Sequence, residues 1–184
     1  MPVDYRQYFD LDCYLFDVVS RRYRQFKTLS VFDFFYIVIW KANRAKSKIA
    51  KRLLRRGYAS LEKAVEALFH DLAARNSSRS RLECLIYDWG FKLPMASALL
   101  SVLYPKDFTV YDIRVCNQIK GFHNLANISA KNKLWNGYCA FVQRVSEFNA
   151  AGLSLTTLRD KDRYLWGKSF YEQLRNDIVK NFGI

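Results

Sequence analysis

The fold is decided by residues 88–103, which read DWGFKLPMASALLSVL. A glycine-containing turn is followed by Pro94, which the first turn of a helix tolerates, and an apolar run then continues until just before Pro105. This pattern predicts a helix that ends before Pro105. The small residues at positions 96–98 would let a second helix, predicted over residues 80–89, cross it closely.

Helical periodicity recurs along almost the whole chain, which contains only seven glycines and three prolines. We therefore predict an all-α protein, and the 51% of apolar residues is enough for a real core, to which we assign Trp40 and Trp89. One helix is expected from Ser30 to near Arg56, and two at the C-terminal end, over 156–166 and 169–181. Residues 1–184 are expected to form one domain. Its possible lobes are residues 1–76 plus the C-terminal helices, and residues 77–150, divided at the polar linker 76–78.

The charge of +13 predicts a polyanionic partner, because so large an excess of one sign repels itself. Residues 41–56 concentrate that charge and contain no acid. Their eight basic residues are Lys41, Arg44, Lys46, Lys48, Lys51, Arg52, Arg55 and Arg56. The apolar stripe at helical spacing consists of Val38, Ala42, Ala45, Ile49 and Leu53. Because this stripe is narrow and alanine-rich, it favours helix packing and a nucleic-acid partner over insertion into lipid.

The four cysteines lack short spacings and only two histidines accompany them, so no metal site and no cofactor are expected. Scattered cysteines without a signal peptide are typical of reduced thiols in the cytoplasm. The longest apolar stretch, residues 29–40, is interrupted by Asp33 and is too short to span a bilayer. We therefore expect a cytoplasmic monomer without a membrane partner.

A second informative stretch, residues 109–115, reads TVYDIRV and places Asp112 at the start of a predicted helix. Backbone N–H groups and the helix dipole keep such a carboxylate ionised, so it can face a developing cation at neutral pH. An aspartate just before a helix is also a common cap with no further role. At the helix that follows Gly90, free N–H groups beside Lys92 would suit a DNA phosphate.

The order of these elements resembles the helix-hairpin-helix DNA glycosylase superfamily, whose fold is that of the 8-oxoguanine glycosylases. Its members have a Leu-Pro-Gly-Val-Gly hairpin, an alanine-rich helix and an apolar–apolar–Asp triplet that leads into another helix. Residues 84–120 carry the strongest similarity, which looks closest to little-characterised bacterial members. Residues 39–46 (IWKANRAK) and 159–166 (RDKDRYLW) also look like theirs.

The resemblance implies two helical lobes around a cleft, a helix-hairpin-helix DNA-binding motif, and double-stranded DNA as partner in a bacterial, nucleoid-associated setting. It implies that Asp112 is the catalytic carboxylate of a glycosylase that flips out a base and excises it. Some relatives have a lysine early in the second hairpin helix that forms a Schiff base with the sugar; here Pro94 falls there, which implies a hydrolase without efficient lyase activity. The family's second hairpin glycine falls on Lys92.

The remaining roles implied by the resemblance concern DNA contacts and the flipped base. The DNA-contacting candidates are Gly90, Lys92, Met95, Arg44, Lys46, Lys48 and Arg114. The base-pocket or wedge candidates are Asn43, Trp166 and Phe170, although most aromatic side chains serve only as core. DNA repair and antiviral defence against modified foreign DNA both fit. The alternatives are a non-catalytic helix-hairpin-helix DNA-binding protein and an RNA-binding helical protein.

Overall fold

The computed structural model describes residues 8–180, and within them every regular element is helical. The all-α prediction is therefore confirmed. Contacts divide the chain into two compact units, Met1–Tyr104 (unit 1) and Pro105–Ile184 (unit 2). The division falls at Tyr104 and not at the polar stretch 76–78, where Ser77 instead caps a helix.

Within its described residues, 8–104, unit 1 contains six helices, and a capping side chain opens four of them. Asp10, Ser30, Ser60 and Ser77 each accept a hydrogen bond from a backbone N–H of the first turn. The helices are α1 (Leu11–Cys13, a π-helical stretch Tyr14–Val19, then Ser20–Phe26), α2 (Val31–Ala42), α3 (Lys46–Leu54), α4 (Leu61–Ala73), α5 (Ser78–Glu83, continuing as a π-helical stretch Cys84–Asp88) and α6 (Leu93–Leu103).

Helix α6 forms the centre of unit 1, with its small residues at positions 96–98 completely buried. It contacts α1, α2 and α5, and the turn at Gly90 connects it to α5. Trp89, at the turn, is 1% exposed, which confirms its assignment to the core. Trp40 is only half-buried and packs edge-on against Phe16, so its assignment to the core was wrong in part.

The single helix predicted from Ser30 to Arg56 is wrong, because a short 3-10 turn, Asn43–Ala45, separates α2 from α3. Ala42 leaves helical geometry (φ −161°, ψ 81°) and its side chain is exposed, so it does not belong to the buried stripe. Asn43 follows directly, and asparagine is a weak helix former.

The part of unit 2 that the structure describes, residues 105–180, contains three helices: α7 (Ile113–Ile119), α8 (Lys131–Ser146) and α9 (Leu158–Lys180), with a 3-10 turn at Leu125–Asn127. Helix α9 packs against both α7 and α8. The two C-terminal helices predicted from the sequence are in fact this one helix. Gly167 does not interrupt it, because one glycine costs a helix only about 1 kcal/mol and no proline follows.

Buried hydroxyl groups lie in both units. Tyr14 in unit 1 donates to Oδ1 of the buried Asp33 (3.0 Å), which also pairs with Arg22. Burial raises the pKa of Tyr14 and of Tyr111 to about 12, and burial also raises the pKa of Tyr23.

These tyrosines predict alkaline instability. The fold favours the neutral phenol, so these tyrosines contribute fully to the stability of the folded state below about pH 10, the pKa of tyrosine in the unfolded chain. That contribution is lost as the pH rises toward about 12. We expect the free energy of unfolding to fall by up to roughly 1.4 kcal/mol per pH unit for each such tyrosine. Urea denaturation between about pH 8.5 and pH 11 measures it. Tyr14→Phe should reduce the slope of the free energy of unfolding against pH. A free energy that does not change with pH in the wild-type chain would contradict the raised pKa of these tyrosines.

Candidate functional site

Asp112 caps α7, as predicted. Its Oδ1 accepts the backbone N–H of Arg114 at 2.9 Å, and the residue has extended backbone geometry (φ −139°, ψ 142°). Its side chain is half-buried. Buried residues on both sides, Tyr111 and Val115, hold this stretch of backbone in the core of unit 2. The backbone of Asp112 is therefore held in place, while its carboxylate remains accessible to solvent.

Two buried tyrosines anchor the chain that leads to Asp112. The Tyr111 hydroxyl lies 2.6 Å from the carbonyl oxygen of Phe122 and 3.1 Å from that of His123, and donates to them. The Tyr138 hydroxyl donates to the carbonyl of Thr109 at 2.7 Å. Burial raises the pKa of Tyr111 to about 12, so its hydroxyl remains a donor well above neutral pH. Residues 109–111 are thus positioned by side chains from α8 and by the loop after α7.

An exposed aromatic pair lies on α9, one helical turn apart. The rings of Trp166 and Phe170 are parallel, with centroids 5.7 Å apart and planes inclined by 7°. Trp166 is 43% exposed and Phe170 is 45% exposed, so the usual assignment of aromatics to the core is wrong for both. Two parallel, solvent-facing rings offer a stacking surface of the kind that unpaired bases use.

Arg114 joins this aromatic pair to the start of α7. Its guanidinium carbon lies 5.2 Å from the Trp166 ring centroid and 5.3 Å from that of Phe170. Its Nη1 donates to Oε1 of Gln173 at 2.9 Å. We call Trp166, Phe170 and Arg114 the aromatic platform. The three residues of the platform, all singled out in the sequence, therefore belong to the contact between α7 and α9, and Asp112 precedes α7 as its cap. Sequence reasoning missed Gln173, for which no motif gave a signal.

In unit 1 two arginines of the basic segment 41–56 hold the turn at Gly90. Arg52 donates to the carbonyl of Gly90, and Arg56 donates to that of Asp88 at 2.8 Å while its guanidinium carbon lies 4.3 Å from the Trp89 ring centroid. Gly90 has φ +73°, a conformation that glycine adopts without strain. Two of the eight basic residues thus have a structural task that their sequence pattern did not indicate.

The remaining DNA-contacting candidates of unit 1 differ in accessibility. Arg44, Lys46, Lys48 and Lys92 are exposed, whereas Met95 is 7% exposed. Asn43, the wedge candidate, is exposed and its Oδ1 accepts a hydrogen bond from Lys46 Nζ at 2.7 Å. Asn43 and these cations belong to unit 1, whereas Asp112 and the aromatic platform belong to unit 2.

The start of α6 offers fewer backbone donors than the sequence suggested. The side chain of Lys92, the capping residue, accepts no backbone hydrogen bond. Pro94 has no N–H to offer, and the N–H groups of Met95 and Ala96 both donate to the Lys92 carbonyl at 3.0 Å. An anion held here would therefore depend mainly on the exposed Lys92 side chain.

Across residues 8–180 no three His, Cys, Asp or Glu side chains cluster as a metal site. Within the same residues no helix has the length and apolar character needed to cross a bilayer. Comparisons of the chain with protein-family profiles, with curated proteins and with solved structures found no match.

Proposed function

We propose that this protein is a monofunctional DNA glycosylase that excises a damaged or modified base by hydrolysis. The observation that carries the proposal is the arrangement in unit 2. A helix-capping carboxylate, Asp112, lies two residues from Arg114, whose guanidinium carbon lies 5.2 Å and 5.3 Å from the ring centroids of a partly exposed, parallel aromatic pair. A glycosylase needs these parts, because it must hold a base outside the stack and stabilise positive charge on the sugar.

In the proposed reaction a flipped base stacks on the aromatic platform. The bond between C1′ of the sugar and the base nitrogen breaks, and its electron pair leaves with the base. Asp112 stabilises the oxocarbenium-like sugar by its charge and accepts a proton from the water that adds at C1′. That proton ends on the departing base, so the products are the free base and an abasic site. Base excision of this kind serves either repair or defence against modified foreign DNA.

The absence of lyase activity follows in this proposal from Pro94, which lies in the first turn of α6 and has no amine to form a Schiff base. Borohydride should therefore trap no covalent adduct between the protein and DNA that contains abasic sites. A trapped adduct would contradict the monofunctional assignment. Lys92 and Lys106, both exposed, are the lysines to substitute first in that case.

Double-stranded DNA is the proposed partner because of the net charge of +13 and the exposed cations around α3. We expect Arg44→Ala combined with Lys48→Ala to make the DNA association constant less dependent on salt. The slope of its logarithm against the logarithm of salt concentration should fall in magnitude by about 2, since each phosphate contact contributes roughly 0.9. Lys46 is left in place because it bonds Asn43.

The matched control is Arg21→Ala combined with Arg24→Ala, which removes two exposed cations from α1 in the same unit. Titrations of labelled duplex DNA at several salt concentrations measure the salt dependence of binding for both double variants. Equal loss of slope in the two double variants would mean that net charge alone drives binding, without a site at α3.

A non-catalytic DNA-binding protein is the second candidate, since the hydrogen bond from Arg114 N–H to Asp112 is what an ordinary helix cap also makes. Abasic-site formation separates the two. Duplex DNA incubated with the protein should acquire aldehyde-reactive abasic sites. DNA that is bound but unchanged would support the second candidate.

A further inference from the structure

Unit 2 contains an open cavity of about 740 Å³ that the proposed function does not use. Its volume lies within the roughly 300–1,000 Å³ of small-molecule sites. The loop after α7 forms one wall and the first turns of α8 form the other. The lining residues are Gly121, Phe122, His123, Asn124, Leu125, Ile128, Lys133, Asn136 and Gly137.

The surroundings of this cavity favour an anion. Residues 113–146, which include the whole lining, contain no Asp or Glu. They contain five Lys or Arg residues: Arg114, Lys120, Lys131, Lys133 and Arg144. Lys133 is exposed and lines the cavity itself, one turn of α8 from Asn136. Residues 113–146 therefore supply no carboxylate that could neutralise Lys133 or repel a bound phosphate.

The cavity has a defined shape, because the loop that walls it is pinned. The buried Tyr111 hydroxyl donates to the carbonyls of Phe122 and His123. At Gly137 the loop approaches α8 so closely that an added Cβ would lie 2.5 Å from Leu125 Cδ1. His123 Nε2 also lies 2.9 Å from Asn117 Oδ1 on α7. These contacts hold the cavity against the segment that carries Asp112.

The polar and apolar groups of the lining suit a nucleotide. The amides of Asn124 and Asn136 can pair with the edge of a base, as asparagine does with adenine. The ammonium of Lys133 can hold a phosphate. Leu125 and Ile128 give the apolar contact that the face of a base requires.

We propose that this cavity is a nucleotide-binding site, separate in its residues from Asp112 and the aromatic platform. It holds one nucleotide with its phosphate at Lys133 and its base between Asn124 and Asn136. The nucleotide comes either from a strand of DNA or from free nucleotide in solution. The site does not depend on base excision, so it stands or falls independently of the glycosylase proposal.

The test is NMR titration of the full-length, isotope-labelled protein with two probes, deoxyadenosine 5′-monophosphate and a single-stranded oligonucleotide. We expect the backbone amides of residues 121–125, 133 and 136–137 to shift with at least one probe. Saturation by the mononucleotide assigns the site to free nucleotides. Shifts with the oligonucleotide alone assign it to a strand.

Two variants should weaken binding and one should not. Lys133→Ala is expected to weaken probe binding by about tenfold or more, the loss of one charge-assisted hydrogen bond, and Asn136→Leu by about fivefold, the loss of a neutral one. Arg144→Ala removes the same charge from the same helix outside the cavity and should change binding less than about twofold. Shifts from neither probe at millimolar concentration, or equal losses in Lys133→Ala and Arg144→Ala, would overturn the proposal.

Discussion

Asp112→Asn is expected to lower the rate of base release by about 10²- to 10³-fold, the cost typical of losing one group aimed at developing charge. Asparagine keeps the shape of the side chain and caps a helix about as well as aspartate. The hydrogen bond from the N–H of Arg114 can therefore persist, and the fold of α7 with it. The variant thus separates the charge of Asp112 from its role as a cap.

Two comparisons complete this experiment. Asp112→Ala should lose activity to a similar degree and also lower the free energy of unfolding by about 0.5–2 kcal/mol, because the cap is lost. Asp107→Asn, five residues earlier and exposed, removes the same charge and should leave base release unchanged. DNA affinity, measured in parallel, should change little in Asp112→Asn. Full activity in Asp112→Asn would reduce Asp112 to a structural cap.

Trp166→Ala and Phe170→Ala are expected to weaken binding of duplexes that contain a flippable base by roughly 10- to 100-fold each. Stacking of a base on an aromatic ring contributes about 1–3 kcal/mol, and each variant removes one ring of the aromatic platform. Because both rings are more than 40% exposed, the free energy of unfolding should fall only slightly. Trp166→Phe, which retains a ring, should keep most of the affinity.

Tyr171→Ala is the control for the aromatic platform. Tyr171 follows Phe170 on α9 and is 65% exposed, but it does not belong to the parallel pair. Electrophoretic titration of duplexes with and without a mismatch at the target base compares the variants. An equal loss in Tyr171→Ala would mean that the exposed surface of α9, and no specific platform, provides the affinity.

Local chemistry explains which elements could be predicted from the sequence. The limits of α6 follow from Pro94 at its start and from the apolar run before Pro105, and the start of α7 follows from Asp112 as a cap. These signals act over a few residues, so they can be read without the fold. The break at Asn43–Ala45 and the continuity of α9 through Gly167 depend on weak local preferences that tertiary packing decides.

The site could be predicted only in part, because its contacts join residues distant in the chain. The position of Asp112 as a helix cap could be predicted, since a cap is a local feature. The pairing of Arg114 with Trp166 spans 52 positions, and that of Arg52 with Gly90 spans 38. Neither pairing has a sequence period or motif. For the same reason sequence reasoning placed Arg52 and Arg56 only among the basic residues of 41–56, and it did not indicate that both hold the turn at Gly90.

The most direct test of the central claim is to identify any base that the protein releases from DNA. Oxidised, alkylated, deaminated and glucosylated duplexes are incubated with the wild-type chain and with Asp112→Asn, and mass spectrometry of the small-molecule fraction identifies free bases of any kind. We expect the wild-type chain to release a base from at least one class of DNA, leaving an abasic site, and Asp112→Asn to release at least about 100-fold less. Release of no base from any of these duplexes, or equal release by both proteins, would contradict the assignment of Asp112 as the catalytic carboxylate of a DNA glycosylase.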